Sequence, residues 1–271
     1  MAITNFIQEL WSAGVQSAYA QAQVVIPTLT NTFSGTAARG NTVHIIGAVT
    51  PTIVDYADEG RTISAEALSD TEVLLQINQE KAFSVYVDDV DLTQVNGTFD
   101  AWVQSAGRAL AEDSETYVLG KLLDEGTEAG TPTINSGETA KAAIRLVRKT
   151  LADSKVPAAN RYLVVNPAMS DLLLAGLSDV ALAGSADELR NGMLGRLYGF
   201  SVLESALLGD PDVPTAVGYH SAAVAFASTI DKVEALRAPN KFADIVRGLH
   251  VFGRKILRTD ALCMGIYNNA T

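Results

Sequence analysis

The stretch "DYADEGRTISAEALSDTEVLLQINQ", residues 55–79, contains a long acidic connection followed by a segment that has the pattern of a β-strand. Val73, Leu75 and Ile77 alternate with mostly polar neighbours, which predicts a half-buried strand. The acidic part is much longer than the roughly 4–6 residues that usually connect two elements. A β-branched segment, "NTVHIIGAV", precedes it, and "FSVYVDD" follows it. Together they predict one extended β-hairpin over about Thr42–Asp88.

This predicted hairpin needs a surface to lie against, because a two-stranded ribbon alone is only marginally stable in water. The next segment predicts a helix of roughly 40 Å, from Thr98 to Glu125, that is long enough to span a whole domain. Its predicted inward stripe follows helical spacing. The stripe consists of Phe99, Val103, Ala106, Leu110 and Tyr117, widened by Trp102 and Ala109.

The two ends of the chain have different patterns. The first 35 residues mix a short amphipathic segment with an extended tail, and they predict an arm without a packed core. Beyond the long helix, Ser136 begins a second helix that opens an α/β region. Its predicted inward residues are Ala140, Ile144, Val147 and Leu151, and Lys141 is predicted to point outward. From Lys232 onward the chain predicts successive strands.

The charge of the chain is unevenly distributed. Residues 1–120 contain 15 acidic and 4 basic residues, a net charge of -11, whereas residues 121–271 contain 16 of each. A chain without an unopposed basic surface is not expected to bind nucleic acid tightly through its phosphates. Solubility alone is an alternative explanation of the acidic excess.

Few residues of the sequence suggest chemistry. His44, His220 and His250 are isolated, whereas zinc sites need clusters of ligands. Cys263 is the only cysteine and lies in an apolar run, so it is expected to be buried and excludes an internal disulfide. Nucleotide-binding motifs and the nucleophile-elbow motif are absent. No run approaches the roughly 18 apolar residues of a membrane span.

The best candidate for a metal site is "VDDVD", since three carboxylates could hold a hard cation. Its acidic residues, Asp88, Asp89 and Asp91, also fit a solvated turn, which is the favoured interpretation. The sequence therefore predicts neither an enzyme nor a bound cofactor.

Four segments carry a resemblance to a known family: "MAITNFIQELWSA", "GNTVHIIGAVTPTIVDY", "DTEVLLQINQEKAFSVYVDDVD" and "VRGLHVFGRKILRTDALCMGIY". In this order and spacing they resemble the major capsid (coat) proteins of tailed bacteriophages. The resemblance implies an α+β fold, the Hong Kong 97-type capsid fold, with five parts. The parts are an N-terminal arm (1–41), an extended β-hairpin loop (42–88), a peripheral-domain spine helix with its linker (89–135), an axial α/β domain (136–230) and peripheral-domain strands with a C-terminal return (231–271).

The resemblance also implies a function. Such a protein assembles with itself into pentamers and hexamers of an icosahedral shell, which encloses double-stranded DNA without sequence-specific binding. The expected location is the virion, after assembly in the host cytoplasm. The expected partners are a separate scaffolding protein, a portal and a possible decoration protein. Some relatives crosslink their shells through a loop lysine, and residues 42–80 contain no lysine, so no such bond is expected here.

Within that framework we expect the ribbon to gain its order from a second copy of the chain. Its acidic loop would then meet basic strand residues of the neighbour. The candidates on the loop are Asp55, Asp58, Glu59, Arg61, Glu66, Asp70 and Glu72, and those on the strands are Arg247, Arg254, Lys255 and Arg258. A simply solvated loop is the alternative.

Two other functions remain open at the level of sequence. One is an encapsulin-type bacterial nanocompartment shell, which shares the fold and encloses cargo enzymes. The other is a soluble α/β enzyme with an unrecognised site, which would have a deep polar pocket.

Overall fold

A computed structural model describes most of the chain. The described residues are 14–30, 42–47, 71–88, 99–130, 132–176, 195–239 and 243–267, with single positions at 53, 55, 57 and 61. Residues 14–22 form helix α1. The later elements are β1 (Thr42–Gly47), β2 (Thr71–Gln76), β3 (Gln79–Asp88), α2 (Phe99–Glu125), β4 (Thr127–Glu128), α3 (Gly137–Asp153), β5 (Arg161–Val165), α4 (Pro167–Gly176), β6 (Arg196–Leu197), β7 (Phe200–Glu204), β8 (Thr215–His220), β9 (Val224–Arg237), β10 (Ala243–Ile256) and β11 (Leu262–Ile266).

The described strands form three sheets. Strands β1 and β2 form a two-stranded antiparallel sheet, called the ribbon below. A three-stranded sheet has the order β3-β10-β9, and a mixed six-stranded sheet has the order β4-β11-β8-β5-β7-β6. Strand β4, which follows the long helix, therefore pairs with β11, the last strand of the described residues.

The six-stranded sheet carries the main core. Its central strands β5 and β8 are almost entirely buried, as continuous apolar strands covered by other elements should be. Helix α3 packs on β8 and β11, and α4 packs along α3. Ser136 caps α3 in a capping box with Thr139, which confirms the predicted start of this helix.

The predicted inward stripe of α3 is confirmed, but the outward position of Lys141 is wrong. Ala140, Ile144, Val147 and Leu151 are fully buried. Lys141 is also buried and forms an ion pair with Glu138 one turn earlier. The buried face of α3 is therefore wider than the apolar pattern indicates.

The prediction that β3 continues the hairpin of β1 and β2 is wrong. Among the described residues, the ribbon pairing runs from Thr42 opposite Gln76 to Gly47 opposite Thr71. Strand β3 instead pairs antiparallel with β10, with Phe83 opposite Gly248. An alternating pattern identifies a strand, but it does not identify the strand's partner, which here lies more than 150 residues away.

The long helix is confirmed as α2, but the prediction that Trp102 and Ala109 belong to its buried stripe is wrong, since both are exposed. The first half of the helix buries Leu110 against α1. The second half enters the main core through Val118, Leu119 and Leu122. The helix thus changes the face that it buries along its length, so no single stripe describes it.

Residues 14–30 are packed, so the prediction of an arm without a core is wrong for this part. Val15 and Val25 are fully buried, and Ile26 and Leu29 nearly so. Thr30 forms a parallel bridge to Ala225 at the start of β9. This segment is held by the long helix and by the start of β9.

Candidate assembly surfaces

The inner face of the ribbon is buried against its own chain at the base. Val43 of β1 and Leu75 of β2 lie in a cluster with Ala225 and Ala227 of β9. Ile77, which follows β2, belongs to the same cluster and is also buried. At its base the ribbon therefore has a surface within the same subunit, which differs from the expectation that a neighbour alone supplies it.

The chain leaves the ribbon by crossing β10 directly over Gly253. A Cβ atom at Gly253 would lie 2.3 Å from the carbonyl oxygen of Gln76 and 2.8 Å from the Cα atom of Ile77. Both distances are too short for a Cβ atom, so any other residue here would force the backbone of Gln76 and Ile77 to move. A glycine is needed here because of this close approach.

Helix α2 reaches the same crossing through Tyr117. Its hydroxyl donates to the side-chain oxygen of Asn78 at 3.3 Å. The guanidinium of Arg254 lies 3.6 Å from the centre of the Tyr117 ring, and Phe252 meets this ring edge-on. Burial lowers the pKa of Arg254, although Tyr117 and the acidic end of α2 oppose that shift. The two residues that flank Gly253 therefore both hold the tyrosine.

The outer face of the ribbon is exposed. Leu74 is 42% exposed, and Ile53, in the loop that the ribbon carries, is 94% exposed. The exposed side chains of His44 and Glu72 are within hydrogen-bonding distance of each other beside Leu74. An exposed polar contact stabilises a fold by only about 0–1 kcal/mol even when both groups are charged, so these side chains contribute little to the subunit itself.

The structure describes three of the seven predicted loop candidates. Asp55 is exposed and accepts a hydrogen bond from the backbone of Ala57, and Arg61 is exposed with a φ of 61°. Glu72 pairs with His44. The other four, Asp58, Glu59, Glu66 and Asp70, lie outside the described residues.

The four basic candidates differ in their surroundings. Arg247 forms an ion pair with Glu234 across neighbouring strands, with 2.5 Å between its terminal nitrogen and a carboxylate oxygen. Arg254 is held against Tyr117, whereas Lys255 and Arg258 are exposed. Arg254 and Lys255 also line a groove of about 510 Å³ that the ribbon and α2 share, together with Glu72 and Leu74 of the same chain. Contact between these residues and the loop of a neighbour stays a prediction.

Sequence reasoning missed the residue that holds the N-terminal segment. Glu115 of α2 is 3% exposed, and its carboxylate accepts hydrogen bonds from the backbone nitrogens of Val24 and Val25, the latter at 2.7 Å. These residues are about 90 positions apart in the chain. A glutamate within a helix gives no local signal of such a contact, so only the fold could reveal it.

A buried polar cluster lies where α1, α2 and β10 meet. The ring of His250 contacts the ring of Tyr19 edge-on at 4.9 Å and stacks on Phe252 at 4.7 Å. Burial lowers the pKa of His250 to about 4, and the nearby Asp113 carboxylate partly opposes this. The expectation of a structural role for this histidine agrees with its position in the core.

The described part of the chain contains no group of three or more histidine, cysteine or acidic side chains that could hold a metal ion. Asp89 and Asp91 of "VDDVD", which the sequence favours as a solvated turn over a metal site, lie outside the described residues, and so does the side chain of Asp88. Cys263 is buried as expected, and burial raises the pKa of its thiol to about 11. None of the helices in the described segments is long and apolar enough to cross a membrane.

Comparison with known families assigns the chain. The model of a family described as phage capsid protein matches residues 70–264, which is more than half of the sequence. The chain belongs to the phage capsid protein family. The resemblance inferred from the sequence is thereby confirmed at the level of the family.

Solved structures agree with this assignment. A structure from Mycobacterium phage Che8 is 37% identical to this capsid protein, with a TM-score of 0.79 and coverage of 90% of each chain. The capsid of the cyanophage P-SCSP1u is 16% identical, with a TM-score of 0.67 and coverage of 90% of this chain and 87% of that chain. A virus-like particle from Pyrococcus furiosus is 12% identical, with a TM-score of 0.62 and coverage of 97% and 99%. The last two likenesses show the fold alone. No curated protein matches the sequence.

Proposed function

We propose that this capsid protein is the major subunit of an icosahedral shell and assembles with itself into pentamers and hexamers around packaged double-stranded DNA. The observation that carries the proposal is the family match over residues 70–264. The exposed apolar residues Leu74 and Ile53, on the ribbon and its loop, support self-association. Isolated exposed apolar residues are common, but in a shell subunit both can be covered by a neighbouring copy.

The parts of the Hong Kong 97-type fold are proposed on the same basis. Helix α2 corresponds to the spine helix, and the ribbon with its loop corresponds to the extended loop. The region with α3, α4 and most of the six-stranded sheet corresponds to the axial domain around the five-fold and six-fold axes. The proposed boundary at residues 230 and 231 falls inside β9, which runs without interruption from Val224 to Arg237.

The partners follow from the proposed role. A separate scaffolding protein would guide assembly in the host cytoplasm, a portal would occupy one vertex, and a decoration protein could bind outside. The net charge of the chain is -11. This suits a shell wall along which DNA slides, because a surface that neutralises few phosphates holds DNA weakly. The role itself is structural, with no catalytic step.

The test is expression of the chain with and without its neighbouring genes, followed by electron microscopy and analysis of the particle contents. We expect closed shells with five-fold and six-fold capsomers that package DNA when the phage packaging genes are present. Particles that hold a cargo enzyme and no DNA would favour the nanocompartment alternative. A stable monomer under all of these conditions would contradict both.

A further inference from the structure

The ribbon of this capsid protein is held at its base by three other elements, namely β10, β9 and α2. Gly253 of β10 lies under the backbone of Gln76 and Ile77. Leu75 of β2 is fully buried in the cluster below the ribbon, and Tyr117 of α2 reaches Asn78. We call Gly253, Leu75 and Tyr117 the ribbon seat. All of its contacts lie within one subunit.

We propose that the ribbon seat fixes the direction of the ribbon before the subunit meets a neighbour, and that Gly253 is a positioning residue for assembly. The inference rests on the proposed function, because a preset ribbon matters only if a neighbouring copy receives it. An element that is already held in its bound direction loses less conformational freedom on association, which favours binding.

The first argument is the backbone contact at Gly253. Four described glycines have a positive φ, and Gly253 is not one of them, so its conformation is open to any residue. The constraint is the space above it, which the ribbon's own backbone occupies. The Cβ atom of any other residue would point toward the backbone of Gln76 and Ile77. A methyl group at this position must therefore displace the ribbon.

The second argument is the apolar contact of the ribbon base. Val43 and Leu75 come from the two strands of the ribbon, so the cluster holds both strands at once. Ala225 and Ala227 of β9 offer a flat, small-residue surface on which these two side chains lie. Removal of one anchor from the ribbon should loosen the ribbon and leave β9 and β10 paired.

The third argument is the link to α2. Tyr117 donates its hydroxyl to Asn78 at the point where the chain leaves the ribbon. Its ring is held by Arg254 and Phe252, the two neighbours of Gly253. The ribbon direction is therefore set relative to both the sheet and the long helix.

The main test compares Gly253→Ala with Gly120→Ala in the full chain. Gly120 is exposed in α2, and a Cβ atom there would meet nothing within 4 Å, so it is a matched control. We expect Gly253→Ala to raise amide hydrogen exchange in β1 and β2 of the unassembled subunit about tenfold or more. The rate of shell formation, followed by light scattering and electron microscopy, should fall by a similar factor. Gly120→Ala favours the helix and meets no neighbouring atom, so it should neither raise exchange in the ribbon nor slow shell formation.

A second variant keeps the test decisive if Gly253→Ala does not fold. Leu75→Ala changes the ribbon and leaves β10 intact. Truncation of a buried leucine removes enough stabilisation to raise amide hydrogen exchange in the ribbon about tenfold or more. Exchange in β5 and β8 reports whether the main core is intact in each variant. We expect these strands to keep the wild-type rates while the ribbon exchanges faster.

Two outcomes overturn the inference. If ribbon exchange is unchanged in both Gly253→Ala and Leu75→Ala, the seat does not hold the ribbon. If exchange rises but shells of wild-type diameter form at the wild-type rate, ribbon direction does not govern assembly. Failure of the proposed function gives a different result, because the wild type would then form no shells while the exchange measurement would still report on the seat.

Discussion

The six-stranded sheet and the ribbon are both built from short, β-branched strands, but they are covered in different ways. In the sheet, Leu163 and Val217 belong to central strands that other strands and helices of the same chain bury. In the ribbon, one face is buried at its base by the same chain, and the other face shows Leu74 to solvent. The comparison indicates that a strand pattern reports burial, whereas the source of that burial depends on the fold and on the assembly.

The largest effect should come from the core of the six-stranded sheet. Leu163→Ala removes a fully buried side chain from β5 and should lower the free energy of unfolding by about 4 kcal/mol. Urea unfolding of the unassembled subunit measures this change. Leu74→Ala, a truncation of the exposed ribbon leucine, is the matched control, and a loss of similar size there would contradict the comparison.

A smaller loss is expected at Asn166, which joins the sheet to the loop before β8. Its amide nitrogen donates to the backbone oxygens of Asp210 and Val213, and its side-chain oxygen accepts from the backbone nitrogens of Met169 and Thr215. Asn166→Ala leaves these buried groups unpaired and should lower the free energy of unfolding by about 3 kcal/mol.

Asn166→Asp tests the donor half of this network, because a carboxylate still accepts from Met169 and Thr215 but faces the backbone oxygens of Asp210 and Val213 without a proton to donate. A buried charge against two carbonyl oxygens is unfavourable, so the loss in urea unfolding at neutral pH should be at least as large as that of Asn166→Ala. Equal stability of all three proteins would show that the hydrogen bonds of Asn166 do not hold the loop.

The sheet beneath the ribbon should respond to pH through His250. Its pKa is about 4 in the folded subunit, below the ordinary value of 6.5, so the folded state keeps the imidazole neutral. The unfolded chain binds a proton as the pH falls through 6.5. This group's contribution is therefore fully present above pH 6.5 and is lost progressively down to pH 4, with about 2 kcal/mol lost between pH 7 and pH 5.

His250→Phe provides the control, because it keeps ring contacts with Tyr19 and Phe252 and removes the titrating group. Asp113 and Lys81, which form an ion pair at 3.7 Å near this histidine, are present in both proteins. The difference between the two pH profiles of urea unfolding isolates His250. Parallel profiles from pH 7 to pH 5 would refute the assignment.

The smallest effect on the subunit is expected at the outer face of the ribbon. Leu74→Lys should change the free energy of unfolding by less than about 0.5 kcal/mol, since the side chain is partly exposed. Shell formation should nevertheless fall, because a neighbour would have to bury a charge. Leu74→Met keeps an apolar side chain and should assemble normally. Normal shells from Leu74→Lys would remove this face from the proposed interface.

Local patterns predicted the elements better than their partners. The alternation in β2 and the helical spacing in α3 were sufficient, because burial on one face leaves a periodic trace. The partner of β3 was not predictable in this way, since its register with β10 joins residues that are far apart. The exposure of Trp102 was not predictable from helical spacing either, because α2 packs on α1 in its first half and on the main core in its second half.

The residues of the candidate surfaces were predicted only in part. Acidic loop residues could be proposed from composition, and the two that the structure describes, Asp55 and Glu72, are exposed. The seat at Gly253 and the anchor at Glu115 depend on close contacts between distant segments. Neither a glycine in a strand nor a glutamate in a helix indicates its partner from sequence alone.

The most direct test of the account is amide hydrogen exchange of wild-type β1 and β2 in two states, the unassembled subunit and the assembled shell. We expect the amides near the base of the ribbon to be already protected in the unassembled subunit, with rates that change by less than about tenfold on assembly. Exchange at the rate of an unstructured peptide in the subunit, with protection only in the shell, would mean that the neighbour and not the chain itself orders the ribbon.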